Sequence, residues 1–244
     1  MSRAPWLIAF ASLAASAALG CGDNLGVEAD LAGADAAHLR RAVGAASGGD
    51  ALAAYALAAP LAGLDAPTAC PAVVTTGATT VVTGGCQVDG KVVSGRIVLE
   101  NVPAPDDDVD RSAVARITFE GYGVGAELLD GTVERTGDGA RLDVELTATL
   151  DDVTAITSLS LTCDERGLCA AGDGALVDVD GLGVLDVLGA WRNAPAAGGY
   201  LTLRGGAVMT LDLNALADGC APYTLDGAAA GRLCGLASAS QPRR

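Results

Sequence analysis

From Arg141 to Leu150 the chain alternates polar and apolar positions without a break. Arg141, Asp143, Glu145, Thr147 and Thr149 fall on one side; Leu142, Val144, Leu146, Ala148 and Leu150 fall on the other. A period of two with one wet and one dry face predicts a half-buried β-strand. Val92, Ser94, Arg96, Val98 and Glu100 alternate with Val93, Ile97 and Leu99 in the same way. Val114–Glu120, Glu127–Arg135, Ala155–Cys163, Ala175–Asp180, Val184–Trp191, Tyr200–Arg204 and Ala207–Leu213 read similarly. Asp-Gly pairs at 130–131, 138–139, 180–181 and 226–227 mark turns, or bulges within longer strands. About ten or more short strands, with no helix long enough for a crossover, imply an antiparallel meander. A sheet of that size must curl, close or fold into two layers, so the expected form is a curved sheet, barrel or sandwich. No constant internal period marks a solenoid.

Ahead of the alternating region the pattern is helical. Between Glu28 and Ala45, Leu31, Ala34, His38, Ala42 and Ala45 recur near a 3.6-residue period, with Glu28 and Asp30 early and Arg40 and Arg41 late. Ser47-Gly48-Gly49 interrupts it. Asp50 is then placed to cap a second helix through about Ala59, which Pro60 ends. The expected order is an Ala-rich helical segment over 28–66, a mainly β domain over 67–238, and a tail over 239–244.

The first twenty residues differ again. Met1-Ser2-Arg3 brings one positive charge, and Pro5 to Gly20 contains none. A cationic start, an apolar stretch and small residues at its end make a signal peptide over 1–20. The stretch is short and alanine-rich for a membrane span, which needs about 20 strongly apolar residues. Its end, Ala18-Leu19-Gly20-Cys21, resembles the lipobox of bacterial lipoproteins: Gly20 and Cys21 match the last two positions, and Leu19 lies one place late. The resemblance covers only these N-terminal residues. It implies a diacylglycerol on the Cys21 sulfur, an acylated new N-terminus and a tether over 21–27. Gly22 at the second mature position, with Asp23 third, implies the outer membrane, on its periplasmic or surface side. Ala18 and Gly20 also fit ordinary cleavage of a soluble exported protein.

Cysteine parity bears on that choice. Without Cys21, six cysteines remain. Their spacing favours the local pairs Cys70–Cys86, Cys163–Cys169 and Cys220–Cys234, with 163–169 at a hairpin tip and the other two closing loops at the entrance and exit of the β region. Lipidation accounts for the odd one.

Composition narrows function by exclusion. Thirty acidic against 15 basic residues give a net charge of −15. Phosphate contacts need a basic patch, so nucleic acid is not an expected partner. Aromatics are only 3%, leaving Val, Leu and Ala to form the core. His38 is the sole histidine and lies in the helical segment, so a Ser-His-Asp or Cys-His arrangement in the β domain has no base. No Cys-x-x-Cys occurs, and no cofactor is expected. Glu120, Glu127, Glu134 and Glu145 could supply an acid pair, but a solvated sheet face accounts for them. Asp106-Asp107-Asp108-Val109-Asp110 offers carboxylates to calcium yet lacks the glycine and final glutamate of a helix-loop-helix site, and it follows Pro103 and Pro105 as an exposed loop would. The expectation is a non-catalytic envelope lipoprotein with a structural, adhesive or protein-binding role. The alternative is a carrier of a lipid or other apolar ligand inside the curved sheet.

Overall fold

Two helices precede the sheet. A computed structural model of the 244-residue chain describes residues 29–101, 114–136, 141–150, 152–164, 168–192 and 198–236. The signal peptide, the tether with Cys21, the Asp106–Asp110 run, the Asp138-Gly139 pair and the 239–244 tail lie outside those residues. Helix α1 spans Ala36–Ala46 and starts later than periodicity implies. Asp35 caps it, its carboxylate accepting from the backbone N–H groups of Ala37 and His38 at 2.8 and 3.0 Å. Upstream, Asp30 accepts from Gly33 N–H at 2.9 Å and holds a turn rather than a first helical turn. Helix α2 spans Gly49–Ala58, and a 3-10 turn with Pro60 follows over Ala59–Leu61. Its cap position is Gly48, not Asp50. Asp50 lies within the first turn, where its carboxylate is committed to Arg41.

Among the described residues fifteen strands follow and form one antiparallel sheet. They are β1 Ala72–Thr76, β2 Thr79–Thr83, β3 Cys86–Val88, β4 Lys91–Asn101, β5 Val114–Val124, β6 Glu127–Thr136, β7 Arg141–Leu150 and β8 Val153–Cys163. Then come β9 Leu168–Ala171, β10 Leu176–Val179, β11 Gly183–Arg192, β12 Gly198–Arg204, β13 Val208–Asp212, β14 Cys220–Leu225 and β15 Ala228–Cys234. Pairing runs β1-β2-β4-β5-β6-β7-β8-β10-β11-β12-β13-β14-β15, with β3 beside β4 and β9 beside β8 and β11. The expected antiparallel meander is present as one sheet, with β1 and β15 at the ends of its order.

One face is dry. Ile97, Leu99, Ile117, Phe119, Val133, Leu146, Leu161, Leu185, Leu201 and Leu211 are all buried along it. The helices pack on part of that face: α1 contributes Leu39, Ala42, Val43 and Ala46 to the same core. Small side chains on α1 allow close approach, and the low aromatic content is met by concentrating bulk at Trp191 and Phe119, both fully buried. The Trp191 indole N–H donates to the Ser47 carbonyl at 3.0 Å, tying β11 to the end of α1.

Glycine-centred bulges interrupt the long strands. Register skips between Ser94 and Arg96 in β4 and between Phe119 and Tyr122 in β5. Gly95 there has φ +67, and a Cβ on it would lie 2.1 Å from the Gly121 carbonyl oxygen. Gly131 is not a turn residue: it sits inside β6 with φ +121, where a Cβ would lie 2.1 Å from the Glu145 carbonyl oxygen. Bulges raise local twist and bend the strand, which lets so wide a sheet bend over α1. The Asp180-Gly181 and Asp226-Gly227 pairs are turns.

All three disulfides join the local pairs, Cys70–Cys86, Cys163–Cys169 and Cys220–Cys234. Cys163 and Cys169 face each other across β8 and β9. Cys220 and Cys234 do the same across β14 and β15, so this bridge staples a hairpin instead of closing an exit loop. In the chain-entropy description a loop near 15 residues is stabilised by about 3 kcal/mol.

Candidate functional site

Helix α2 covers the sheet incompletely. After Asp50 it carries no charged residue, yet Leu52 and Leu57 remain exposed. Beneath it a cavity of about 150 Å³ opens toward solvent. Its roof is Asp50, Ala53, Ala54 and Leu57; its floor is Tyr122, Gly123 and Val124 of β5, Glu127 and Leu129 of β6, and Leu150 of β7. Alanines on α2 leave the space: larger residues at 53 or 54 would meet the sheet.

Tyr122 reaches this cavity because of the β5 bulge. Ile117 and Phe119 point into the core, and strict alternation would send residue 122 to the solvent face. The skip between Phe119 and Tyr122 reverses the phase. Gly121, at φ +57, donates its N–H to Asp130 at 2.9 Å and completes the bulge. Tyr122 is consequently only 6% exposed, and its hydroxyl has no hydrogen-bond partner among the described residues. Burial pushes its phenol pKa up, because the phenolate would lose hydration in this apolar setting.

Asp50 at the cavity's edge is balanced by a buried cation. Arg41 on α1 forms an ion pair with it and also donates to the Ala148 carbonyl at 2.6 Å and the Val153 carbonyl at 3.2 Å. Those carbonyls belong to the facing ends of β7 and β8. One guanidinium therefore holds both helices to one hairpin, and Arg41 is not the dipole-complementing cation of a last helical turn.

The outer sheet face is divided. Over β4–β7 it is charged: Arg96 meets Glu120 at 3.3 Å, and Arg116 meets Glu134 at 2.6 Å. Glu145 accepts from the Ser158 hydroxyl at 2.7 Å. Glu127 alone of the four glutamates lies on the inner side, at the cavity rim. These carboxylates are thus distributed over two faces, and Glu120, Glu134 and Glu145 are each engaged with a separate partner. Over β8–β12 the outer face turns apolar, exposing Ile156, Leu176, Val184, Leu188 and Tyr200 between Asp178 and Asp186. A shallow depression of about 640 Å³ lies against Ile156 and the β10–β11 turn.

No family model, curated protein or solved structure matches this chain.

The remaining candidates stand apart. His38 is on α1, its Nδ1 3.0 Å from Asp35, the helix cap. Hydrogen bonds from His38, first its backbone N–H and then its side chain, hold the Asp35 carboxyl below the ordinary aspartate range. A depressed folded-state pKa stabilises α1 while Asp35 is ionised, and the contribution disappears as pH falls through that lowered value. Methyl and amide NMR titration is expected to show α1 loosening only below the usual aspartate range, and Asp35→Ala is expected to remove that acid-dependent step. Among the described residues no group of three His, Cys, Asp or Glu side chains is placed to hold a metal. No described helix is long and apolar enough to cross a membrane.

Sequence reasoning missed Tyr122 and the cavity, and the available signal was Glu120-Gly121-Tyr122-Gly123: two glycines flanking an aromatic at a break in alternation.

Proposed function

We propose that this chain is an envelope lipoprotein, anchored through Cys21 at the outer membrane, that acts by binding another protein and performs no catalysis of its own. The observation that carries this reading is the divided outer face. Ile156 and Tyr200 are each 52% exposed, beside Leu176, Val184 and Leu188, while the neighbouring strands are laced with ion pairs. Large exposed apolar side chains interleaved with polar ones, here Ile156 and Val184 flanking Asp178, suit a mixed contact surface. Ala29, the first described residue, accepts from the Gly206 N–H at 3.0 Å at the β12–β13 turn.

The reading is tested in two steps. Cys21→Ala is expected to move the protein from the membrane fraction to the soluble one. A photo-crosslinking residue at Ile156 or Tyr200 is expected to trap one defined protein, whereas the same probe at Arg116 is expected to trap none. Equal labelling at all three positions, or none, contradicts the contact surface.

A second reading, a carrier of an apolar ligand, is favoured by the cavity under α2. Pockets for drug-sized ligands hold about 300 Å³ or more. The smaller volume suits a compact ligand better than a whole lipid.

A further inference from the structure

We infer that the cavity between α2 and β5–β7 is a binding site for a neutral, single-ring molecule carrying one hydrogen-bonding group, oriented by the Tyr122 hydroxyl. This deepens the carrier reading and rests on it.

Size sets the first limit. A volume of about 150 Å³ is close to that of an engineered apolar cavity that binds benzene. Lining chemistry sets the second. Ala53, Leu57, Val124, Leu129 and Leu150 present apolar surface to a ligand, so its body must be hydrocarbon. Polarity sets the third. The Tyr122 side chain lines the cavity while its hydroxyl oxygen stays within reach of water, so a polar group on a ligand can take the water's place. The Tyr122 O–H can donate to, or its oxygen accept from, a hydroxyl or carbonyl on the ligand. Charge sets the fourth. Glu127 stands at the rim with no compensating cation among the described residues that line the cavity, and Asp50 is already matched by Arg41. An anion would meet an uncompensated carboxylate on entry, so fatty-acid and other carboxylate headgroups are disfavoured. The mouth runs past Leu57, 49% exposed, on a helix that makes few contacts with the sheet. A ligand can enter there without unfolding the core.

Three probes separate these features on the full chain: p-cresol (ring plus hydroxyl), toluene (ring alone) and p-toluate (ring plus charge). Titrations are followed by methyl NMR. Saturable shifts are expected at Leu57, Val124, Leu129 and Leu150, with p-cresol binding tightest and p-toluate weakest. Tyr122→Phe is expected to weaken p-cresol by about two- to ten-fold and to leave toluene unchanged. Ala53→Leu, on the partly exposed side of α2, fills the space and is expected to abolish both. Equal affinity for p-cresol and toluene, an unaltered p-cresol affinity in Tyr122→Phe, or shifts elsewhere on the sheet would overturn the assignment. So would the absence of saturation for all three, which would mean a site occupied by water only. Native mass spectrometry of the purified protein tests the carrier reading separately. A co-purified lipid with no p-cresol response would sink this inference and leave that reading standing.

Discussion

Replacing Arg41 with alanine is expected to destabilise the protein by about 3–5 kcal/mol, because it strands Asp50 as a buried charge and frees two backbone acceptors. Arg41 and Asp50 side chains are 6% and 11% exposed. At that depth water screens the pair weakly, unlike the surface pairs of β4–β6, which contribute little individually. The loss falls on one place: α1, α2 and the facing ends of β7 and β8 share that guanidinium. Urea unfolding would measure it. Arg41→Met with Asp50→Leu is expected to recover most of the stability, since isosteric apolar replacement of a buried pair is often neutral or stabilising. A cost below about 1 kcal/mol for Arg41→Ala would match an exposed pair and would contradict the role given to Arg41.

The second large effect belongs to Trp191. Truncation to alanine removes the bulkiest fully buried side chain and opens a cavity, at about 3–5 kcal/mol. For a chain of this length that corresponds to a fall in Tm of roughly 6–20 °C. Trp191→Phe keeps most apolar contact but leaves the Ser47 carbonyl without its indole donor, so an intermediate loss is expected. Trp6, in the proposed signal segment, is the only other tryptophan. Fluorescence of a form that begins at Cys21 reports Trp191 alone, with blue-shifted emission lost on unfolding. Wild-type stability in Trp191→Ala would mean that α1 is not packed against β11 as described.

These two residues also mark where sequence reading reaches its limit. Arg141–Leu150 alternates so regularly that its strand, its dry face and its partners' type could be read directly. The same held for the β4 segment until Gly95. Alternation stops being informative once a bulge intervenes: Tyr122 keeps the wrong parity for the core, and only pairing across strands reveals the skip. The first three strands were hidden for another reason. They are short, the first two are threonine-rich, and all three are separated by Gly77 and the Gly84-Gly85 pair, which read as loop. β15 escaped notice because Ala228 to Gly231 are small and all exposed at the sheet's end, leaving no face to contrast. Arg41 fitted a helix-dipole pattern when viewed along its own helix. Its true partners lie 9, 107 and 112 residues away, and no local rule points so far.

Cysteine spacing did translate into geometry. Six cysteines in three local pairs became bridges that staple neighbouring segments, two of them directly across paired strands. That leaves Cys21 as the one cysteine outside the three bridges, and the proposed anchor depends on its chemistry. Anchoring by several acyl chains is close to permanent, since each buried CH₂ contributes about 0.8 kcal/mol.

Mass spectrometry of the N-terminal peptide from the membrane-associated protein tests that anchor most directly. The predicted result is a peptide beginning at Cys21 whose mass includes a thioether-linked diacylglycerol and an amide-linked acyl chain. A peptide beginning elsewhere, or an unmodified Cys21 thiol, would contradict it.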